Sequence, residues 1–249
     1  MSGLLNRTVM WLTWRQLFAR RRIWLAVAFA LAPLLFTLVF MVVGDDGTDA
    51  RVGFLSVLQR DIVIGTLLPL AAVIFGTTAF GGEVDDGTLV YLLVKPIPRW
   101  QVVLSKLTVA TLSTLAVIAP AVLLPWLVLR NADLPFSFAG GFLVGAAVGS
   151  VIYCALFLSL GLATRRALVV GLLYVIGFEA TLSRSLGGLR SLSVREFAVA
   201  VSQAASAGAV KIPDAISMST VYWMGTIILV GAVAWTMRKL VQYEMAERL

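Results

Sequence analysis

The sequence predicts an all-α integral membrane protein with six transmembrane helices, forming a single transmembrane domain over residues 1–249. Three observations lead there. Hydrophobic residues make up 60% of the chain and charged ones only 13%, where soluble domains hold roughly 45–50% and about 25%. That excess needs an apolar solvent, which a bilayer supplies. The apolar residues also gather into runs of crossing length, and the basic residues gather at alternate ends of those runs.

Residues 4–22 come first. Leu4, Leu5, Val9, Trp11, Leu12 and Phe18 give this stretch an apolar side, and Arg7, Arg15, Arg20, Arg21 and Arg22 give it charge. The pattern predicts an amphipathic helix lying on the cytoplasmic surface, with Trp14 and Trp24 at headgroup level. A cleaved signal peptide is a poor fit. The apolar run that follows is too long, no small-residue cleavage site stands out, and further spans come after it.

The predicted spans are Ile23–Val43, Ile62–Phe80, Leu107–Leu129, Gly141–Leu162, Ala167–Leu182 and Ser219–Trp235. A crossing needs roughly 20 residues, so the fifth, which also carries Glu179, is the shortest fit. Backbone groups in lipid must bond within their own segment, which helices achieve and open strands do not. The runs are therefore helical despite their Val and Ile content. Pro33, Pro69, Pro120 and Pro125 fall inside them. Membrane helices tolerate such breaks where neighbours re-satisfy the freed carbonyls.

Orientation follows from Lys and Arg. Thirteen fall in the N-terminal segment, after span two, after span four and at the C-terminus, against seven on the opposite side. The positive-inside rule places both termini in the cytoplasm. The acidic loop Gly44–Asp61 and the long loop 183–218 then face out. With no histidine, Ser-His-Asp, Cys-His and HExxH chemistry are excluded. The single cysteine, Cys154, excludes an intrachain disulfide and a cysteine-cluster metal site. Placement of the net +7 charge fits membrane topology rather than nucleic acid. No catalytic, cofactor or metal site is predicted.

The most informative stretch lies between spans two and three. It reads Glu83-Val84-Asp85-Asp86-Gly87-Thr88-Leu89-Val90-Tyr91-Leu92-Leu93-Val94-Lys95-Pro96-Ile97-Pro98-Arg99, and Lys106 follows. The spacing predicts a short helix within 83–96. Asp85 or Asp86 caps its start, Pro96 stops it, and Leu89, Leu92 and Leu93 form one apolar face. About eight helical residues reach only ~12 Å, too short to cross.

This pattern resembles the ABC-2 family of ATP-binding-cassette transporter permeases. Its marks are a glutamate (Glu83), Gly87-Thr88, the leucine run, Pro96-Ile97-Pro98-Arg99 and a later lysine (Lys106). A weaker match is Phe178-Glu179 followed by Gly188-Leu189-Arg190-Ser191-Leu192-Ser193-Val194. The resemblance implies a permease subunit, an exporter rather than an importer, working in a bacterial or archaeal cytoplasmic membrane. It implies a second permease copy, identical or not, and two separate ATPase subunits that bind ATP and Mg. Residues 4–22 become an elbow helix, 83–96 a coupling helix, and the outer loop between spans five and six a helical hairpin. Leu89, Leu92 and Leu93 would make the buried ATPase contact beside Gly87 and Thr88. Glu83, Asp85, Asp86, Lys95 and Arg99 would pair at its rim. No Gly-x-x-x-x-Gly-Lys-[Ser/Thr] loop occurs in this chain, so ATP would sit on another polypeptide.

Gly141, Gly145 and Gly149 form a small-residue series in span four, suited to close helix packing within the chain or between two chains. Thr66, Thr77, Tyr174, Phe178 and Glu179 are candidates for lining a substrate path, though a threonine hydroxyl also bonds readily to its own helix. Glu179 is placed near the outer end of span five, either facing the path or at the interface beside Arg184. An ion-driven secondary transporter and an anchor that recruits an ATPase are the rival readings. The first would want an ionisable residue near the bilayer midplane.

Overall fold

The computed structural model describes residues 10–14, 20–44, 47–85, 87, 98–130, 134–182, 187–209 and 216–247. Every regular element among them is a helix. α1 is Arg20–Val43. α2, Thr48–Val57, continues through a π-helical stretch, Leu58–Leu67, into α3, Leu68–Asp85. α4 is Arg99–Leu129 and α5 is Phe136–Ala163. α6, Ala167–Leu173, passes into a second π-helical stretch, Tyr174–Leu182. A 3-10 turn, Gly187–Leu192, leads to α7, Val194–Ala205, and α8 is Met218–Glu247.

Among the described residues, four helical stretches are long and apolar enough to cross a membrane: Thr48–Val84, Arg99–Leu129, Phe136–Ala163 and Met218–Gln242. Two shorter apolar helices, Val27–Val43 and Ala167–Glu179, occupy the places of predicted spans one and five. Residues 10–14 are helical, within the predicted elbow helix. Residues 4–9 and 15–19 of that helix lie outside the described residues, as do Asp86, Thr88, Leu89, Leu92, Leu93 and Lys95 of the predicted coupling helix.

Two expectations are corrected. The acidic loop Gly44–Asp61 is mostly helix, because α2 starts at Thr48. Asp49 sits in its first turn, where a carboxylate complements the positive end of the helix dipole. Phe54 stacks on Phe40 of α1 with centroids 4.1 Å apart, and Leu55 and Leu58 are buried. The second correction concerns the loop between spans five and six. Residues 183–186 and 210–215 lie outside the described residues. The described part holds the 3-10 turn and α7, and α7 is sunk into the bundle rather than standing beyond it. Val194, Phe197, Ala198, Val199 and Ala200 are all buried.

α5 is the central helix, packed against α3, α4, α6, α7 and α8. Lipid and Leu are equally apolar, so helices associate in a membrane through close packing and polar contacts. The glycines of α5 supply the packing. A Cβ on Gly141 would lie 2.6 Å from the Ser202 carbonyl oxygen, and one on Gly145 would collide with the Ala198 carbonyl oxygen and Ser202 Oγ. One on Gly149 would meet Leu68 and Ala198. The small-residue series is therefore the seat of α7, within the chain. Farther along, Gly161 of α5 accepts the backbone of Thr77, and Gly76 of α3 accepts Phe157.

These contacts also fix direction. Ser202 faces Gly141 and Gly145, whereas Ala198 faces Gly145 and Gly149. α7 thus runs antiparallel to α5, and its first residue lies deepest. One further turn puts Val194 roughly 24 Å from Phe136 at 1.5 Å per residue, about halfway along the 28-residue α5.

Both π-helical stretches show their wider turn in a side chain. Thr66 Oγ donates to the carbonyl of Asp61, and Thr181 Oγ to that of Ile176, each five residues back. Thr37, Thr77, Thr78, Thr108, Thr114 and Thr236 all reach four residues back, as in ordinary α-helix. The first stretch ends beside Pro69, which has no N–H and crowds the carbonyl four residues before it. That residue is Gly65, and one residue earlier the Leu68 N–H bonds to Val63 rather than to Ile64, the wider π pattern. Gln59, buried on the same stretch, donates to the carbonyl of Val122 at 3.0 Å and ties it to α4.

Candidate functional site

Among the described residues, two clusters of charged side chains lie within the apolar interior. The first joins α3 to α4. Lys106 is fully buried, and its Nζ donates to Glu83 Oε1 at 2.7 Å and to the carbonyl oxygen of Ala79. The same ammonium lies 4.7 Å from the centroid of the Phe80 ring. A buried ammonium is costly unless paired and hydrogen-bonded. Here a carboxylate, a carbonyl near the negative end of α3 and an aromatic face share it. The pair thereby closes the base of the segment between α3 and α4.

This geometry revises the reading of that segment's ends. Glu83, expected as a rim charge, turns toward Lys106. Asp85, expected to cap a separate helix, is the last residue of α3. Gly87 follows in the left-handed region at φ 64°, where a side chain would be strained. Arg99 opens α4 directly after Pro98, whose fixed φ suits a helix start.

The second cluster gathers around the start of α7. Glu179 is 1% exposed. Its Oε2 accepts from Ser193 Oγ at 2.6 Å, and its Oε1 accepts from the Val194 N–H at 3.1 Å and from the Tyr174 hydroxyl at 3.4 Å. Ser193 is also the N-cap, accepting from the Glu196 N–H at 3.4 Å. A carboxylate thus sits on the positive end of the α7 dipole. Because Val194 lies halfway along α5, so does Glu179. Its expected place near an outer end is corrected, and Arg184 lies outside the described residues. The reason is the second π-helical stretch, which stops short and hands over to α7. The two halves of the weaker sequence motif, Phe178-Glu179 and Ser193-Val194, are the two sides of this contact.

Of the path candidates, Tyr174, Phe178 and Glu179 come together, with Phe178 stacked on Tyr174 at 5.3 Å. Thr66 is exposed on the other π-helical stretch. Thr77 is buried at the α3–α5 crossing and bonded to Val73 at 2.6 Å.

Sequence reasoning missed the charged residues beside this cluster. Arg195 is 3% exposed, and it donates to Asp61 Oδ1 at 2.5 Å across 134 residues of chain. Arg190 pairs with Glu196 at 3.3 Å. The signal available was Ser193-Val-Arg-Glu196, a Ser-x-x-Glu capping pattern that announces a helix start.

Against this geometry stand the comparisons with known proteins. No curated protein matches the chain. A family model described as "ABC-2 family transporter protein" matches residues 17–182, which include both π-helical stretches, the Glu83–Lys106 pair and Glu179. The chain therefore belongs to the ABC-2 family of transporter membrane proteins.

Proposed function

We propose that this chain is the membrane-spanning permease subunit of an ABC exporter, paired with a second permease and driven by two separate ATPase chains that hold ATP and Mg. The observation that carries the reading is the Glu83–Lys106 pair in a chain of this family. A segment that transmits force from an ATPase needs both its ends fixed to the helices it moves. Lys106 binds the last turns of α3 from within α4, so a push on residues 86–97 would move both helices together. Leu89, Leu92 and Leu93 would make the ATPase contact, with Asp85, Asp86, Lys95 and Arg99 at its rim. Glu83 acts inward, as a positioning residue.

Six crossings follow on this reading, the fifth made in two pieces. α6 and its π-helical continuation climb about halfway, and α7 completes the path alongside the outer half of α5. Both termini would then lie in the cytoplasm, as the basic residues require.

One observation favours a second reading, an ion-driven carrier. Glu179 sits at mid-depth, where such a carrier wants an ionisable group. Its carboxylate is, however, occupied by Ser193, Val194 and Tyr174.

The test is co-purification with a candidate ATPase, followed by ATP turnover in lipid. The coupled reading expects a 2:2 assembly that is lost when Leu89, Leu92 and Leu93 become Asp, and an assembly in which Glu179→Gln still turns over ATP. Failure to bind an ATPase, with the triple variant behaving like the parent, overturns it. Proton-driven flux without ATP, abolished in Glu179→Gln, would establish the carrier.

A further inference from the structure

Between the first π-helical stretch and the start of α7 lies an open cavity of about 310 Å³ lined by Arg60, Asp61, Arg190, Arg195 and Glu196. All five side chains are charged. Each carboxylate already has a cation: Asp61 has Arg195 at 2.5 Å, and Glu196 has Arg190 at 3.3 Å and Arg195 at 3.9 Å. Arg60 has no ion pair among the described residues, and its Nε is buried without a hydrogen-bond partner. Arg195 is nine-tenths buried or more, and its Nε likewise has no partner. Of the side chains that line the cavity, three are guanidinium groups and two are carboxylates, an excess of one cation in the lining.

The Arg60 guanidinium has no ion-pair partner among the described residues, and an anion in the cavity would supply one. The planar fork of Arg matches the paired oxygens of a carboxylate or phosphate. The two carboxylates repel a multiply charged ligand and leave room for one negative charge. The cavity also lies level with the outer half of α5, among apolar helices.

From this we infer that the cavity binds the singly charged anionic group of the transported molecule, a phosphodiester or carboxylate carried by a lipid headgroup or by a smaller anion. The inference rests on the permease reading and adds the chemistry of its substrate.

The test uses the full chain in phosphatidylcholine nanodiscs, without ATPase or ATP, so its outcome is independent of coupling. Binding of radiolabelled dihexanoylphosphatidylglycerol is compared with that of dihexanoylphosphatidylcholine, and dimethyl phosphate is added as competitor. The anionic lipid is expected to bind more tightly. Arg60→Gln should weaken it about tenfold or more at unchanged thermal stability, the worth of one charge-assisted hydrogen bond, and Arg60→Lys, which keeps the charge but loses the planar fork, should fall between Arg60→Gln and the parent. Displacement by dimethyl phosphate would identify a free anion as sufficient, and its failure to displace would identify the lipid headgroup. Equal binding of the two lipids, no binding of either, or an Arg60→Gln variant as tight as the parent would overturn the proposal. Co-purification with the ATPase would be untouched by any of these.

Discussion

The two polar clusters solve the same problem, charge inside an apolar bundle, in different ways. At the α3–α4 junction one cation meets one carboxylate, a carbonyl and a ring, all within a short stretch of chain. The helices there are ordinary α-helix. At the α7 junction, residues from both π-helical stretches, the 3-10 turn and α7 meet. There the helices are widened, and buried donors on Arg60 and Arg195 have no hydrogen-bond partner among the described residues. The first arrangement resists change. The second holds alternative partners close by, and π-helical turns recur at functional sites. On the proposed permease reading, the first would be the stiff base that receives force and the second the junction that rearranges.

The largest effect should come from the stiff side. Lys106→Met leaves Glu83 partly buried beside no cation, and breaking such a pair from one side costs about 3–5 kcal/mol. Thermal unfolding in detergent should show that loss. The double change Lys106→Met with Glu83→Gln should recover most of it, because the stranded charge is gone. A double variant no better than the single one would break the distinction between the two clusters.

The next effect tests the seat of α7. Gly145→Leu collides with the Ala198 carbonyl, which belongs to backbone and cannot swing away. Overpacking of this kind costs about 1–3 kcal/mol. Gly140→Leu, one residue away, meets only Phe136 at 3.6 Å and should unfold like the parent. Equal loss in both would mean that α7 is not seated on Gly145.

The smallest effect sharpens the comparison. Thr66→Val and Thr77→Val each remove one hydroxyl bonded within its own helix, worth about 0.5–1 kcal/mol. Only Thr66 lies in a widened turn, so hydrogen exchange should rise around Asp61 and stay flat around Val73.

Much of this could be read from the chain. The helical class and the places of the apolar runs follow from composition and spacing. Lys106 was visible as part of a pattern, but its burial was not. Spacing gives a residue's position along a helix, whereas its facing depends on the neighbour. Glu179 was misplaced in depth because the short run Ala167–Leu182 was read as a full crossing, whereas its helix ends about halfway along α5. The acidic stretch before span two was read as loop because charge outweighed the helical register that carries Phe54, Leu55 and Leu58 inward.

The sequence by itself determined that the chain lives in lipid and that its backbone must be helical, because both follow from the free energy of placing apolar side chains and peptide groups in a bilayer. It also carried the motif of its family. Only the tertiary structure decided that α7 is seated inside the bundle, that Glu179 caps it about halfway along α5, and that Arg195 reaches Asp61. Those contacts join residues apart in the chain, α7 through backbone approach at the glycines of α5 and the others through side-chain hydrogen bonds and an ion pair. Whether a glycine is a close contact or an open surface is a property of what packs against it, which no local pattern encodes.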